Sequence, residues 1–218
     1  MHFFDRTEAG LLLSQALRQY KSQDAVVYAV SRNGVPIALT IAEELSLPFG
    51  FIPVSRVTAP GNASTAVGAL TSSGDLLYDG SDQDSVQTGW LKWAVSFAQR
   101  DLERKRNLRA AHAQVPATSK TAILVDDGAN NGYALRAALR ALRYEQPERV
   151  VVALPVVDPK AVLALHDRVD DLVTLDSDDL ALHSVPSHYR LYHRLTDREV
   201  RGMLDQHAVL ARILGLPA

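Results

Sequence analysis

Short runs of Val, Ile and Ala, each bounded by charges or turn residues, alternate with amphipathic stretches along the whole chain, and this alternation constrains the fold more than any other feature. Strands buried on both faces read as near-continuous apolar runs, and helices between them supply the crossovers of a parallel sheet. Strands are expected at Ala25 to Val30, Phe49 to Val54, Thr121 to Val125, Arg149 to Leu154 and Asp171 to Leu175. Helices are expected at Thr7 to Tyr20, Val35 to Leu45, Val86 to Ala111, Tyr133 to Tyr144, Pro159 to Arg168 and Thr196 to Leu214, where apolar residues recur three and four apart. The pattern breaks between Ser55 and Ser85, an excursion rich in Gly, Ser, Asn and Asp. Only Ala66 to Leu70 and Asp75 to Tyr78 read as extended there, as in a hairpin. Long loops in compact domains are usually functional or mobile.

Composition narrows the function classes. At 218 residues with no obvious internal boundary, the chain reads as one domain, 1–218, able to bury its own core. The absence of cysteine rules out a disulfide framework and a thiolate zinc site. Lys and Arg number 23 against 25 Asp and Glu, a net charge of -2 with both signs interspersed, so neither nucleic acid nor an anionic membrane is an expected partner. No apolar stretch approaches the ~20 residues of a membrane span, and Asp5, Arg6 and Glu8 do not fit a signal peptide. A soluble, cytoplasmic protein is expected. His183, His188 and His193 stand five apart, which suits neither a helix face nor a strand face, so metal ligation is not expected of them. Arg100, Arg104, Lys105, Arg106 and Arg109 form a basic run that reads as a solvated helix face. Trp90 and Trp93 are expected to pack one face of that helix against the domain.

The chemistry concentrates in Thr121 to Arg143, TAILVDDGANNGYALRAALRALR, where an apolar strand runs into paired acids, a small-residue loop and a helix. In an open α/β sheet ligands collect beyond the carboxyl ends of the strands, where Asp126 and Asp127 fall. Adjacent carboxylates there can accept hydrogen bonds from a sugar diol or sit near a divalent cation. The unpaired first N–H groups of the following helix favour an anion, so a phosphate could rest on Asn130, Asn131 and Gly132. Diol and phosphate together describe a ribose 5-phosphate. Taken alone, the strand-Asp-Asp-Gly pattern fits a strand end and a helix cap equally well.

The segment AILVDDGANNGYA, Ala122 to Ala134, resembles the signature of the type I phosphoribosyltransferase family. The opening FFDRTEAGLLLSQAL, then VVYAVSRNGVPIALTIAEEL, then FIPVSRVTAPGNASTAVGAL, and the basic helix ERKRNLR before the signature strand are similar to a bacterial phosphoribosyltransferase-like branch, in order and over nearly the whole chain. The resemblance implies a Rossmann-like α/β fold: a mainly parallel central sheet flanked by helices, with a loop or hairpin excursion at 55–85 and a small hood at 176–195. It also implies transfer of the 5-phosphoribosyl group from phosphoribosyl pyrophosphate (PRPP) to a nitrogenous acceptor, with Mg2+ as cofactor carried by the pyrophosphate rather than by a firm protein ligand. By position, Asp126 and Asp127 match the acidic pair that binds the ribose hydroxyls, and Gly128, Ala129, Asn130, Asn131, Gly132, Tyr133 and Ala134 match the 5-phosphate loop. Ser31, Arg32, Asn33 and Gly34 match the pyrophosphate loop, with Arg32 as its retained cation. Arg56 matches a loop cation before APGN, Ala59 to Asn62, in the segment that closes over substrate. Tyr189 and Tyr192 lie where they could line an acceptor pocket, core packing near the C-terminal helix being slightly favoured. A homodimer is implied as well.

The departures from the family pattern are specific. Asn131 and Ala134 stand where threonine hydroxyls are usual, and bulky Tyr133 follows Gly132. A lost hydroxyl contact to a charged group is typically worth ~1.5–3 kcal/mol. Ser31-Arg32-Asn33-Gly34 replaces Pro-Arg-Gly-Gly, which predicts strain at Asn33 if the loop needs a glycine conformation there. Ser55-Arg56 replaces an Arg-Lys pair. These changes motivate an alternative reading, a catalytically degenerate member that binds a nucleotide or phosphoribosyl ligand as a sensor. A phosphatase or phospho-acceptor domain is a weaker third reading, since no acid at the end of an earlier strand completes such a site.

Overall fold

The computed structural model describes residues 1–21, 23–59, 62–78, 89–110, 115–180 and 182–215. Five strands, β1 (Ala25–Ala29), β2 (Phe49–Phe51), β6 (Thr121–Val125), β7 (Arg149–Val157) and β8 (Asp171–Ser177), pair in parallel in the order β2-β1-β6-β7-β8. Every residue of β1, β2 and β6 is buried, as their apolar runs require. Alternate side chains face opposite sides. Val27, Ile123, Val125, Val151 and Ala153 join a core with helices α1 (Arg6–Ala16) and α2 (Val35–Leu45) and part of the C-terminal helix. Val26, Tyr28, Ala122, Leu124, Val152 and Leu154 join a second core with α4 (Tyr133–Leu142) and α5 (Pro159–Leu165). Helices thus cover both faces of a parallel sheet, as the alternation predicts.

Element boundaries follow local chemistry. α1 gives way at Leu17 to a tighter turn, Arg18–Tyr20, which brings the Tyr20 hydroxyl 2.8 Å from Asp171 Oδ2. β2 stops at Phe51, two residues before Pro53, which has no N–H to offer a ladder. β7 runs three residues beyond the expected Leu154 because Pro155 lies past the end of its pairing with β6, where Val125 meets Ala153. The C-terminal helix α6 (Asp197–Leu214) starts on a capping box, with Thr196 Oγ1 accepting from the Glu199 N–H and the Glu199 carboxylate accepting from the Thr196 N–H.

The excursion is more ordered than the sequence predicts. β3 (Ser55–Ala59), β4 (Asn62–Leu70) and β5 (Leu76–Tyr78) form a separate three-stranded antiparallel sheet in that order. The first strand was unread because only one face of it is buried and its register with β4 shifts on either side of Thr58. Helix α3 (Trp90–Ala110) packs on this sheet through Ala94, Ala98 and Leu102 against Val57 and Leu70. Pro60 and Gly61 of the APGN turn, the stretch 79–85 of the excursion, and the expected helix ends at 86–88 and 111 lie outside the described residues. Trp90 packs on this cluster, but Trp93 does not: it is 57% exposed and lies on Phe97 at 4.4 Å. Among the described residues no helix is long and apolar enough to cross a membrane.

Candidate active site

β6 delivers Asp126 and Asp127 beyond its carboxyl end, and the turn after β1 lies directly against them. A Cβ on Gly34 would sit 2.9 Å from Asp126 Cα and 3.0 Å from the Val125 carbonyl, so only glycine permits this approach. Ser31 Oγ donates to Asp126 Oδ1, which also accepts from the Asp127 N–H at 2.9 Å. Both acids are buried, at 6% and 7% exposure. Burial, then the adjacent Asp127 charge, pushes the Asp126 carboxyl up to about 7 against the hydrogen bonds from Ser31 and the Asp127 N–H.

Asp127 is held from the other side by residues far away in sequence. Its Oδ2 accepts from the Tyr192 hydroxyl at 2.9 Å and faces Arg6 Nη2 at 3.6 Å. The Arg6 guanidinium lies over the Tyr192 ring at 4.1 Å and donates to the His193 carbonyl at 2.9 Å. Tyr189, 5% exposed, packs on Phe3 and Tyr192 and donates its hydroxyl to the Asp127 carbonyl at 2.7 Å. Burial and the Asp127 charge raise both tyrosine hydroxyls well above their ordinary range, so both remain donors. The segment 176–195, outside Ala181, therefore lays a tyrosine pair over the acids. Among the described residues, Asp126 Oδ2 and Asp127 Oδ1 receive no hydrogen bond, which leaves each carboxylate one acceptor oxygen.

The loop after the acids is shaped by two glycines in conformations that side chains rarely adopt. Gly128 has φ +156, and a Cβ there would meet Val185 at 2.8 Å and Val156 at 2.9 Å. Gly132 has φ +71 and precedes α4 without any side-chain cap. Ala129 is stitched to β7 through Val156 and to Asp158, whose own side chain caps α5. Asn131 does not point its amide at the loop's interior: its Nδ2 donates to the Ala66 carbonyl of β4 at 2.7 Å. The first-turn N–H groups of α4 have no carbonyl within the helix, and Asn131 Oδ1 is a distant 3.5 Å from the Tyr133 N–H. Anion-binding capacity at this loop thus rests on the backbone and the helix end.

The turn 31–34 carries no strained backbone. Asn33 is not among the residues with positive φ, contrary to the strain its sequence predicts. It is clamped by its side chain, donating to the Tyr192 hydroxyl at 3.0 Å and accepting from the Leu195 N–H at 3.2 Å. Arg32 meets Asp197 at 2.8 Å, in the first turn of α6, and Asp101 of α3 at 3.4 Å. The basic run on α3 is not a plain solvated face either. Lys105, 7% exposed, donates to the Val54 carbonyl at 2.7 Å and pairs with Asp101 Oδ2 at 2.8 Å. Burial pushes Asp101 up, but the Lys105 charge with hydrogen bonds from Lys105, Ser55 and Arg104 outweighs it and holds the carboxyl well below its usual range. Arg56 is exposed, and among the described residues it forms no ion pair, though its charge is felt at Asp126.

The acids, the turn 31–34, the loop 128–134 and Tyr189 thus converge, with Arg56 at the rim on β3. Sequence reasoning missed Arg6, Asp101, Lys105 and Asp197. The i, i+4 spacing of Asp101 and Lys105 was a usable signal for a pair; nothing local marks Arg6 or Asp197 as belonging to this site. Chemically the assembly offers an open acceptor oxygen on each of two otherwise buried acids for a diol, an uncapped helix end for an anion, and cations beyond them.

Comparison with known proteins identifies the family. The profile of the phosphoribosyl transferase domain matches residues 7–189. Two Mycobacterium tuberculosis proteins provisionally named phosphoribosyl transferases are 29% identical over 210 residues, 94% of this chain and 46% of theirs. The chain therefore spans about half the length of these curated relatives. The crystal structure of TT1426 from Thermus thermophilus is similar at a TM-score of 0.74 and 31% identity, covering 94% of this chain and 99% of that one.

Proposed function

The chain belongs to the phosphoribosyl transferase family, and we propose that it transfers the 5-phosphoribosyl group of PRPP to a nitrogenous acceptor, releasing pyrophosphate. The observation that carries this reading is the buried acid pair with one open oxygen on each carboxylate, beside an uncapped helix end. The open oxygens accept from the ribose 2- and 3-hydroxyls, and the backbone of 128–134 receives the 5-phosphate. As the acceptor nitrogen attacks C1, the C1–O bond pair leaves with the diphosphate and the acceptor gives up its proton to the departing diphosphate or to solvent. Positive charge develops on the ribose ring next to Asp126 and Asp127, and negative charge next to Arg32 and Arg56. β3 and β4 would exclude the water that otherwise hydrolyses the donor.

The residues fit a magnesium ion that enters with the diphosphate: burial and the Asp127 charge raise Asp126, and a nearby divalent charge relieves that repulsion. The diphosphate would hold the ion, with Asp126 and Asp127 next to it. When bound, the ion supplies neutralisation of the departing charge.

A screen of purine, pyrimidine and amine acceptors with PRPP, read as pyrophosphate release, tests the reading. Asp127→Asn is expected to lower the rate by about 10²–10³-fold while the protein stays folded. The pairing of Arg32 with Asp197 and Asp101, and of Asn131 with Ala66, favours one second reading, a family member that binds a phosphoribosyl ligand or nucleotide without turnover. On that reading no acceptor gives pyrophosphate, yet Asp127→Asn weakens PRPP binding.

A further inference from the structure

α4 carries a second concentration of charge along a face that does not include the acids. Arg136, Arg140 and Arg143 follow one another four and three residues apart, on one face. With Arg168, from the turn after α5, and with Leu77, Leu139 and Tyr144, they line a cavity of about 490 Å³. Arg140, Arg143 and Arg168 are exposed, and among the described residues no carboxylate lies within 4.0 Å of any of the three. Arg168 Nε donates to the Ala164 carbonyl at 3.0 Å, which anchors an otherwise exposed side chain. A helix C-terminus gains from cations in its last turn, which accounts for Arg140 and Arg143. It does not account for Arg168 brought in from another element, nor for like charges gathered around a concavity.

We propose that this cavity is a binding site for a nucleoside polyphosphate. Guanidinium forks match phosphate oxygens in geometry and charge, and the volume lies within the ~300–1,000 Å³ of small-molecule sites. Leu77 and Leu139 give the cavity an apolar wall. Tyr144, 77% exposed, presents an uncovered ring on which a base stacks. The cavity runs along α4 from Arg136, one turn past Gly132, to Tyr144 beyond its far end, and neither Asp126, Asp127 nor any residue of 128–134 lines it, so the ligand does not enter the acid site, and the inference stands apart from the transferase reading. Asp79, Asp82 and Asp84 follow β5 in the sequence and suggest a competing account, counter-charge from within the chain. On that account the cavity takes up no nucleotide.

Isothermal titration of the whole chain with ATP, GTP and inorganic tripolyphosphate tests the proposal. Micromolar nucleotide binding is expected, weakened at least tenfold in Arg140→Ala/Arg168→Ala and retained in Asp127→Asn. Tyr144→Ala is expected to weaken ATP several-fold and tripolyphosphate not at all. Arg140→Lys, which keeps the charge and loses the fork, should fall between wild type and the double variant, and unchanged melting temperatures exclude misfolding as the cause. The proposal is overturned by any of four results: no wild-type binding below millimolar, wild-type affinity in the double variant, loss of nucleotide binding in Asp127→Asn, or tighter binding of a short single-stranded RNA than of a mononucleotide. Equal ATP and tripolyphosphate affinities that ignore Tyr144 overturn the assignment of a nucleoside.

Discussion

The acid half and the cation half of the site are built in opposite ways. Asp126 and Asp127 sit at the end of a central strand, buried, and each is held by groups that leave one oxygen open. Arg32 sits on a turn, about a third exposed, with two carboxylates already on it, while Arg56 stands in solvent. One half is organised before any ligand arrives; the other must exchange an internal partner for an external one. The contrast teaches that an acid pair built into a strand end can persist while the cations beside it are retuned by residues distant in sequence.

The largest expected effect concerns the cost of that prior organisation. Because Asp126 titrates higher in the folded protein than in the unfolded chain, the native state keeps a proton that the unfolded chain releases near pH ~4. The contribution of this group to stability is therefore full below that pH and falls as pH rises toward about 7, by on the order of 4 kcal/mol. Urea unfolding at pH 5 and pH 8 without magnesium should show more than half of the drop, and Asp126→Asn should flatten it; an equally steep profile in the variant would assign the titration elsewhere. Next, Arg6→Ala leaves Asp127 buried without its cation. It should cost about 3 kcal/mol, the low end for removing one partner of a buried pair, since the ion pair is 3.6 Å long. Adding Asp127→Asn should recover part of that loss, and strict additivity would mean that the two do not interact. The smallest effect lies in the cation half. Asp197→Asn frees Arg32 from a partly exposed pair worth at most ~1 kcal/mol, so pyrophosphate or PRPP should bind up to about fivefold tighter; unchanged affinity would show that Arg32 does not meet the diphosphate.

What could be read from sequence follows the same division. The parallel sheet was legible because strands buried on both faces are written as unbroken apolar runs such as Val26 to Val30 and Ala122 to Val125. The acid pair was legible because strand, acids and loop are contiguous. β3 was not, since Ser55-Arg56-Val57-Thr58 shows no run and its partner lies across a shifted register. Arg6, Asn33, Asp127 and Tyr192 meet in one cluster from across the chain, which no local periodicity encodes. Lys105 was read as a solvated charge because the basic run around it is mostly surface, and only packing singles out the buried member.

The bond from Asn131 to the Ala66 carbonyl has an evolutionary corollary. It ties the antiparallel sheet to the loop after the acids through one side chain and one main-chain oxygen. Drift at position 66 leaves the carbonyl in place, so the β4 side of the tie is inherited almost regardless of sequence. The loop side hangs on a single codon. Descendants of this chain can therefore lose this hydrogen bond in one substitution at Asn131, leaving the packing around Ala69 and Ala129 between sheet and loop, whereas no single replacement at Ala66 removes the acceptor.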